Sequence, residues 1–177
     1  MKKVLLAVMV FAMSSFAQIG LDAALDVAMP IGDAADFTNL GAGVSVKGYF
    51  PINEQVDITG RAGYLYWFPG EIVVDFGSLG KLTTEYNYAH IPVMAGARYK
   101  FTPEFYGMAE AGMTFLTFTS ETTVEGVSGS TKYDDSGSEF GFGVGAGYIM
   151  NALDFSISYN TVDDWNSIVL RIGYKFM

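Results

Sequence analysis

Apolar and polar residues alternate along most of the chain with a period of two. In the segment 140–159, Phe140, Phe142 and Val144 occupy every second position, with glycines in most of the gaps. After a short break the alternation resumes at Leu153. A period of two is that of a β-strand, whose successive side chains point to opposite faces of a sheet. The segment therefore predicts two strands of a hairpin, each with one apolar and one polar face.

Runs of this kind recur to the end of the chain, and no window shows a helical period. There are eight of them, at residues 18–29, 39–50, 55–68, 86–100, 104–119, 138–150, 152–161 and 166–176. Eight consecutive alternating strands predict an all-β fold. The pattern alone does not say whether water or lipid meets the apolar face.

The connections between the runs alternate in length. Short turns are expected at 51–55, 101–104 and 151–152, and longer loops at 30–38, 69–85 and 120–137, with a shorter one near 163. Short turns at one end and long loops at the other are typical of an outer-membrane barrel with both termini on the short-turn side. The stretch Gly-Ser-Leu-Gly at 77–80 indicates the tip of a hairpin that projects beyond the bilayer.

One face of every predicted strand carries no charge, and the opposite face carries both signs among Gly, Ser and Thr. We call the titratable residues of that second face the lumen charge network; they are Asp22, Asp26, Lys47, Asp57, Arg61, His90, Arg98, Glu110, Glu139, Asp154, Arg171 and Lys175. About a dozen charges are too few to cover the outside of a soluble, lipocalin-like barrel. Paired inside a narrow barrel, they would neutralise one another, because an unpaired buried charge costs several kcal/mol.

Aromatic residues of the uncharged face fall into two groups. Those near the long-loop ends are Tyr64, Tyr66, Phe68, Phe115, Phe140, Phe142 and Tyr159, and those near the short-turn ends are Phe50, Tyr99, Phe105, Tyr148, Tyr174 and Phe176. Two aromatic girdles around an aliphatic middle are expected at the two interfaces of a membrane. We therefore predict an eight-stranded antiparallel transmembrane up-and-down β-barrel, with lipid outside and a packed polar lumen.

The first residues have the pattern of a secretory signal peptide. Lys2 and Lys3 precede an apolar run, and a small-residue cleavage site ends at Ala17. The run is shorter than the roughly 18 residues that a membrane-spanning helix needs. We expect a signal peptide at 1–17 and a barrel domain at 18–177.

Composition narrows the possible functions. Charged residues make up 16% of the chain, below the quarter typical of soluble domains. The formal net charge is −9, which argues against nucleic acid as a partner. The chain has no cysteine, so disulfides and thiolate metal sites are excluded, and we expect no cofactor.

Three segments resemble the small outer-membrane β-barrel proteins of Gram-negative bacteria, the OmpX/OmpA-like eight-stranded class. They are residues 90–101, 141–160 and 168–177. The resemblance implies an outer-membrane location and a porin-like barrel domain. It also implies that the barrel-assembly machinery reads the last strand, whose Tyr174 and Phe176 match the alternate aromatics of the family's assembly signal. The final residue is Met177 where the family has an aromatic.

Three features could carry chemistry. His90 is the one histidine and could act as a general base, although a hydrogen-bonded lumen residue is the commoner case. The glycines of 141–146 spell a dinucleotide fingerprint but lie inside a strand, so they do not predict a nucleotide site. The long loops are rich in Asp and Glu, which predicts a solvated surface or weak binding of divalent cations between the rim and lipopolysaccharide.

These observations lead to a ranked expectation for function. We expect a non-enzymatic structural or surface-interaction protein of the outer membrane, with a role in adhesion or envelope integrity carried by its acidic extracellular loops. The alternatives are a narrow, low-conductance porin and, third, a barrel enzyme acting on lipid. The expected partners are outer-membrane lipid, lipopolysaccharide and the assembly machinery, and the barrel is expected to be a monomer.

Overall fold

The computed structural model describes residues 19–36, 38–75, 77, 81–124 and 130–176, with the backbone alone at 70–73, 75, 81–82, 85 and 124. The predicted signal peptide at 1–17 and the terminal Met177 lie outside these residues. Within the described part of the chain, no helix is long and apolar enough to cross a membrane.

The described chain forms eight β-strands and one short 3-10 helix, Gly32–Asp36, between the first two strands. The strands are β1 Gly20–Ile31, β2 Thr38–Pro51, β3 Val56–Asp75, β4 Lys81–Lys100, β5 Phe105–Val124, β6 Ser130–Met150, β7 Leu153–Val162 and β8 Trp165–Lys175.

Each strand pairs with the next in antiparallel fashion, and β1 pairs with β8, so the sheet closes into a barrel. At the closure, Ala24 lies opposite Gly173 and Val27 lies opposite Leu170. Closure satisfies the backbone donors and acceptors of both terminal strands, which a lipid environment requires. The predicted all-β, eight-stranded antiparallel barrel is therefore confirmed.

Tight turns join the strands at one end of the barrel, at 52–55, 101–104 and 151–152. Asn151 adopts a φ of 56°, a left-handed conformation that asparagine tolerates better than most residues. β1 begins and β8 ends at this end of the barrel. The short turns lie where the sequence predicts them, and the connections at the opposite end are shorter than predicted.

The middle strands are longer than the sequence pattern predicts. β7 and β8 contain 10 and 11 residues, close to the roughly 9–11 that a tilted membrane strand needs. β3, β4 and β5 contain 20 residues each and β6 contains 21. Most of the segments predicted as loops at 69–85 and 120–137 are therefore strand. We call residues 70–75, 81–87, 117–124 and 130–136 the protruding sheet.

The two faces of the strands differ sharply in exposure, in the sense that the alternation predicts. On β1 the uncharged side chains of Ala23, Leu25 and Val27 are exposed, while Asp22 and Asp26 on the opposite face are buried. The girdle aromatics are exposed on the outside of the barrel at both ends, except Tyr66, which is half-buried. The outer surface is therefore apolar, and the polar face is enclosed.

Candidate functional site

Asp154 is the centre of the buried network at the short-turn end of the barrel. Its side chain is fully buried, and the Tyr106 hydroxyl donates to its Oδ1 at 2.5 Å. The Tyr49 hydroxyl and Arg98 Nη1 approach its Oδ2 at 3.1 and 3.3 Å. The Arg98 guanidinium carbon also lies 3.9 Å from the centroid of the Tyr49 ring. The carboxylate of Asp154 on β7 thus contacts side chains from β2, β4 and β5. These contacts connect strands on different sides of the barrel across its axis.

Arg98 also holds the second acid of this level. Its Nε forms an ion pair with Asp57, and Lys100 Nζ lies 3.2 Å from Asp57 Oδ1. Lys175 makes no ion pair with a described residue, and its Nζ lies 5.6 Å from the centroid of the Tyr49 ring. The two acids and the cations around them form a level of the lumen with nearly balanced charge.

Arg171 organises the next group, on the strands that close the barrel. It forms an ion pair with Asp22, its Nε donates to Ser45 Oγ at 3.1 Å, and the same Nε lies 3.8 Å from Asp26 Oδ1. Asp22 also accepts a hydrogen bond from the hydroxyl of Tyr49. The closure of the barrel therefore carries an internal ion pair as well as the backbone ladder.

Glu110 on β5 is held between two cations near the middle of the lumen. Lys47 Nζ lies 2.8 Å from its Oε1, and Arg61 Nε donates to its Oε2 at 2.7 Å. Lys47 and Glu110 are both buried, so their charges would be costly without these contacts. Together with the groups around Asp154 and Arg171, this pairing fills the half of the lumen nearer the short-turn end with acids and bases that neutralise one another.

His90 belongs to an aromatic cluster above those ion pairs. Its ring centroid lies 5.5 Å from Trp67 and 5.3 Å from Trp165, and the two tryptophans are 5.3 Å apart. Trp67 is only 1% exposed. No described carboxylate or hydroxyl bonds to His90, so it lacks the partners of a general base. The three rings instead close the lumen towards the long-loop end.

Glu139 is the member of the predicted lumen charge network whose side chain the structure leaves exposed. Glu139 is an odd-numbered residue of β6 and so has inward parity, meaning that it belongs to the alternate set of residues whose side chains face the lumen. It lies opposite Thr114, yet its side chain is exposed and makes no ion pair with a described residue. β7 pairs with β6 only from Gly141 onward, so Glu139 stands above the end of its neighbouring strand. The prediction that Glu139 lies in the lumen was wrong, because parity gives the face of the strand on which a residue lies and not its position along the barrel axis.

Several lumen residues were missed by reasoning that considered charges alone. Tyr49 and Tyr106 supply hydroxyl donors to buried acids, Lys100 pairs with Asp57, and Trp67 forms the inner part of the aromatic cluster. Each has the inward parity of its strand. Parity was therefore the available signal, and it applies to polar aromatic residues as well as to ions.

A wide cavity opens above the aromatic cluster, at the long-loop end. We call it the outer cup. Its volume is about 490 Å³. Its lining residues are Asp33, Ala34, Tyr88, His90, Leu116, Thr117, Phe118, Asp135, Ser136, Gly137, Val162, Asp163, Asp164 and Trp165. Rings and carboxylates dominate this lining, and no lysine or arginine contributes to it.

The acidic loops do not form a metal site in the part of the chain that is described. There, no group of three or more His, Asp or Glu side chains could hold a metal ion. The side chains of Glu71, Asp75, Glu85 and Glu125 lie outside the described residues. The described acids at this end, such as Asp33, Asp135 and Asp163, are exposed and spread over separate elements.

Comparison with known proteins decides the family. The family described as "Outer membrane protein beta-barrel domain" matches residues 4–176. This chain belongs to that family. No curated protein matches the chain in sequence. Membership in the outer membrane β-barrel family accounts for the apolar outer surface, the aromatic girdles and the closed sheet, and it implies an outer-membrane location.

Solved structures agree on the fold. The attachment invasion locus protein Ail of Yersinia pestis is 13% identical, with a TM-score of 0.55 over 89% of this chain and 97% of that one. A second structure of Ail, in complex with the heparin analogue sucrose octasulfate, is 11% identical over the same shares, with a TM-score of 0.56. The N-terminal β-barrel domain of Pseudomonas aeruginosa OprF is 13% identical over 89% and 97%, with a TM-score of 0.50. At such identities the likeness concerns the barrel fold alone.

Proposed function

We propose that this chain is a non-enzymatic surface-interaction protein of the outer membrane. In this proposal, a cleaved signal peptide at 1–17 directs export, and the domain 18–177 inserts as a monomer surrounded by lipid and lipopolysaccharide. The assembly machinery reads β8. The lumen ion pairs hold the barrel rigid, and the protruding sheet presents an edge to which an extended segment of a partner can add.

The observation that carries the proposal is the free edge of β6. Residues 130–140 pair with β5 on one side, and no described strand lies on the other. Every side chain from Ser130 to Phe140 is exposed. An unpaired edge offers a row of backbone donors and acceptors to an incoming strand, which is the mode of binding called β-augmentation.

The direction of the free donors follows from two hydrogen bonds. The N–H of Ile149 donates to the carbonyl of Glu104, on the β5 side of β6. Successive N–H groups of a strand point to opposite sides, so those of the even-numbered residues point away from β5. The N–H of Ser136 accordingly donates to Asp135 Oδ1 and not to β5. The N–H groups of Ser136 and Ser138 are thus directed to the free edge.

The negative charge beside the free edge of β6 limits the class of partner that can bind there. Asp134, Asp135 and Glu139 lie on or beside the free edge, with Lys132 as its one described cation. The sucrose octasulfate that is bound in one Ail structure is a polyanion, and it is a ligand of Ail. A polyanion would be repelled by this chain's acidic edge, so a neutral or basic polypeptide is the better match.

The other functions find less support in the geometry. A barrel enzyme would need a nucleophile and a general base in contact, and His90 is packed between tryptophan rings. A porin would need a continuous path, and ion pairs and the aromatic cluster occupy the axis. A cavity lined by Asp26, Trp67, Thr114 and Ser167 has a volume of about 50 Å³, enough for about one or two waters.

The test is a selection of extended peptides on the chain in lipid nanodiscs, followed by two substitutions at one position. Ser138→Pro removes an edge donor that does not pair with β5, whereas Ser138→Ala keeps it. Peptides that bind the edge should bind the wild type and Ser138→Ala equally and lose at least tenfold in affinity for Ser138→Pro. They should also slow amide exchange at Ser136 and Ser138. If every selected peptide binds Ser138→Pro as well as it binds the wild type, the edge is not the binding surface.

A further inference from the structure

The outer cup has a composition that suits one class of ligand. Three aromatic rings stand together in its wall and floor. The centroid of Tyr88 lies 4.9 Å from that of Phe118 and 5.1 Å from that of Trp165. Aromatic faces carry partial negative charge and attract cations, most strongly when the cation is large and weakly hydrated.

Acidic side chains surround these rings from three separate elements. Asp33 comes from the 3-10 helix, Asp135 from β6, and Asp163 and Asp164 from the turn between β7 and β8. None of the four carboxylates forms an ion pair with a described residue. Lys132, the nearest cation on β6, lies opposite Glu121 in the protruding sheet and does not line the cup. The negative charge of the cup is therefore not neutralised from within the described chain.

The cup also fits an organic cation better than a metal ion. A divalent metal needs several oxygen ligands within about 2.0–2.6 Å, and the described residues offer no such group. A cavity of about 490 Å³ with aromatic walls can instead accept an extended alkyl chain that ends in a charged nitrogen. The rings would contact the alkyl part and the charged head, and the carboxylates would pair with that head.

We propose that the outer cup is a binding site for alkylammonium or guanidinium groups. The cation enters from the long-loop end, stacks on Tyr88, Phe118 and Trp165, and is paired by Asp163, Asp164 and Asp33. The group can belong to a free polyamine or to a lysine or arginine side chain of a polypeptide. The site borders the edge of β6 and includes Ser136, but Ser138, the position at which the edge is tested, does not line the cup.

The chain contains a built-in reporter for this site. It has two tryptophans, Trp67 and Trp165, and both belong to the aromatic cluster beneath or beside the cup. The full chain in nanodiscs of zwitterionic lipid would be titrated with spermidine, with a trilysine peptide and with Mg²⁺, while tryptophan emission is recorded. Zwitterionic lipid keeps the cations from collecting on the bilayer itself.

Two pairs of variants separate local recognition from general attraction. Asp163→Asn with Asp164→Asn removes two charges from the cup, and Asp134→Asn with Glu121→Gln removes two charges outside it. The first pair should weaken spermidine binding by about tenfold or more and the second by less than about twofold. Tyr88→Leu should weaken binding, and Tyr88→Phe should retain it, since the ring provides the cation–π contact.

The probes also distinguish the source of the cation. Saturation by spermidine and not by trilysine would identify a free polyamine site, and saturation by both would identify a site open to side chains. The proposal is overturned if neither organic cation gives a saturable change up to millimolar concentration. It is also overturned if Mg²⁺ gives the same change, or if the two variant pairs weaken binding equally. The response to Ser138→Pro tests the edge separately, so either idea can fail alone.

Discussion

Arg171 on β8 forms an ion pair with Asp22 on β1, and the two residues are 149 positions apart in the chain. Asp22 is fully buried, and Arg171 is its one described ion-pair partner. Glu110, by contrast, has two cations, Lys47 and Arg61. The lumen therefore contains acids that are paired with one cation, such as Asp22, and acids that are paired with two, such as Glu110.

This difference predicts an order of stability. Arg171→Leu should lower the free energy of unfolding by about 3–5 kcal/mol, because it leaves Asp22 buried without a counter-ion. Arg61→Leu should cost less, since Lys47 still holds Glu110. Lys132→Leu, on the exposed edge, should stay within about 0.5 kcal/mol. Urea titration of the barrel in lipid vesicles measures all three, and equal midpoints would contradict the assignment of these residues to the lumen.

A second prediction concerns Gly147 on β6. A Cβ built there would collide with the ring of Tyr106, which must stay in place to donate to Asp154. Gly147→Ala should therefore destabilise the barrel by about 1–3 kcal/mol. At Gly60 a Cβ meets no atom within 4 Å, so Gly60→Ala is the matched control and should be neutral or slightly stabilising. The same vesicle titration applies, and a larger loss at Gly60 would contradict the described packing of Tyr106.

Spin labels give a third prediction, about which face meets lipid. Val93 and Leu170 are 49% and 46% exposed on the apolar surface, whereas Ser156 is 7% exposed and faces inward. Labels at Val93 and Leu170 should be relaxed by oxygen dissolved in the bilayer and not by a water-soluble nickel chelate. A label at Ser156 should be protected from both reagents. Water contact at Val93 together with lipid contact at Ser156 would reverse the orientation of the faces.

The fourth prediction is that the barrel does not conduct ions. The ion pairs around Glu110 and the rings of Trp67, His90 and Trp165 occupy successive levels of the lumen. The purified chain should therefore show no steady single-channel current in a planar bilayer. A reproducible conductance from the folded protein would instead establish the narrow porin that the sequence left open.

The alternation of the sequence predicted most of the barrel, because the side-chain period of a strand is fixed. The run 152–161 corresponds to β7 at Leu153–Val162. The pattern failed where both faces meet water: the stretch from Ser120 to Gly137 is rich in Ser, Thr, Gly and Asp and shows no apolar face. Its strands are held by backbone pairing with neighbours, and that pairing has no signature in hydropathy.

The site was less accessible to sequence reasoning, for a geometric reason. Parity placed Arg98 and Asp154 on the inner face, but which acid meets which base depends on how each strand is staggered against the next around the barrel. Glu139 shows the consequence, since its parity was right and its level lies above the neighbouring strand. The outer cup draws its residues from six elements and from the turn between β7 and β8, so no local motif could have indicated it.

Arg171 on β8 is the counter-ion of Asp22 on β1. A barrel without β8 would therefore bury the charge of Asp22 at a cost in free energy. An incomplete chain would leave that carboxylate bare and two sheet edges open in the bilayer. Assembly should therefore behave as an all-or-none event that waits for the C-terminus. A product truncated before β8 should be degraded as an export intermediate and should not accumulate in the membrane.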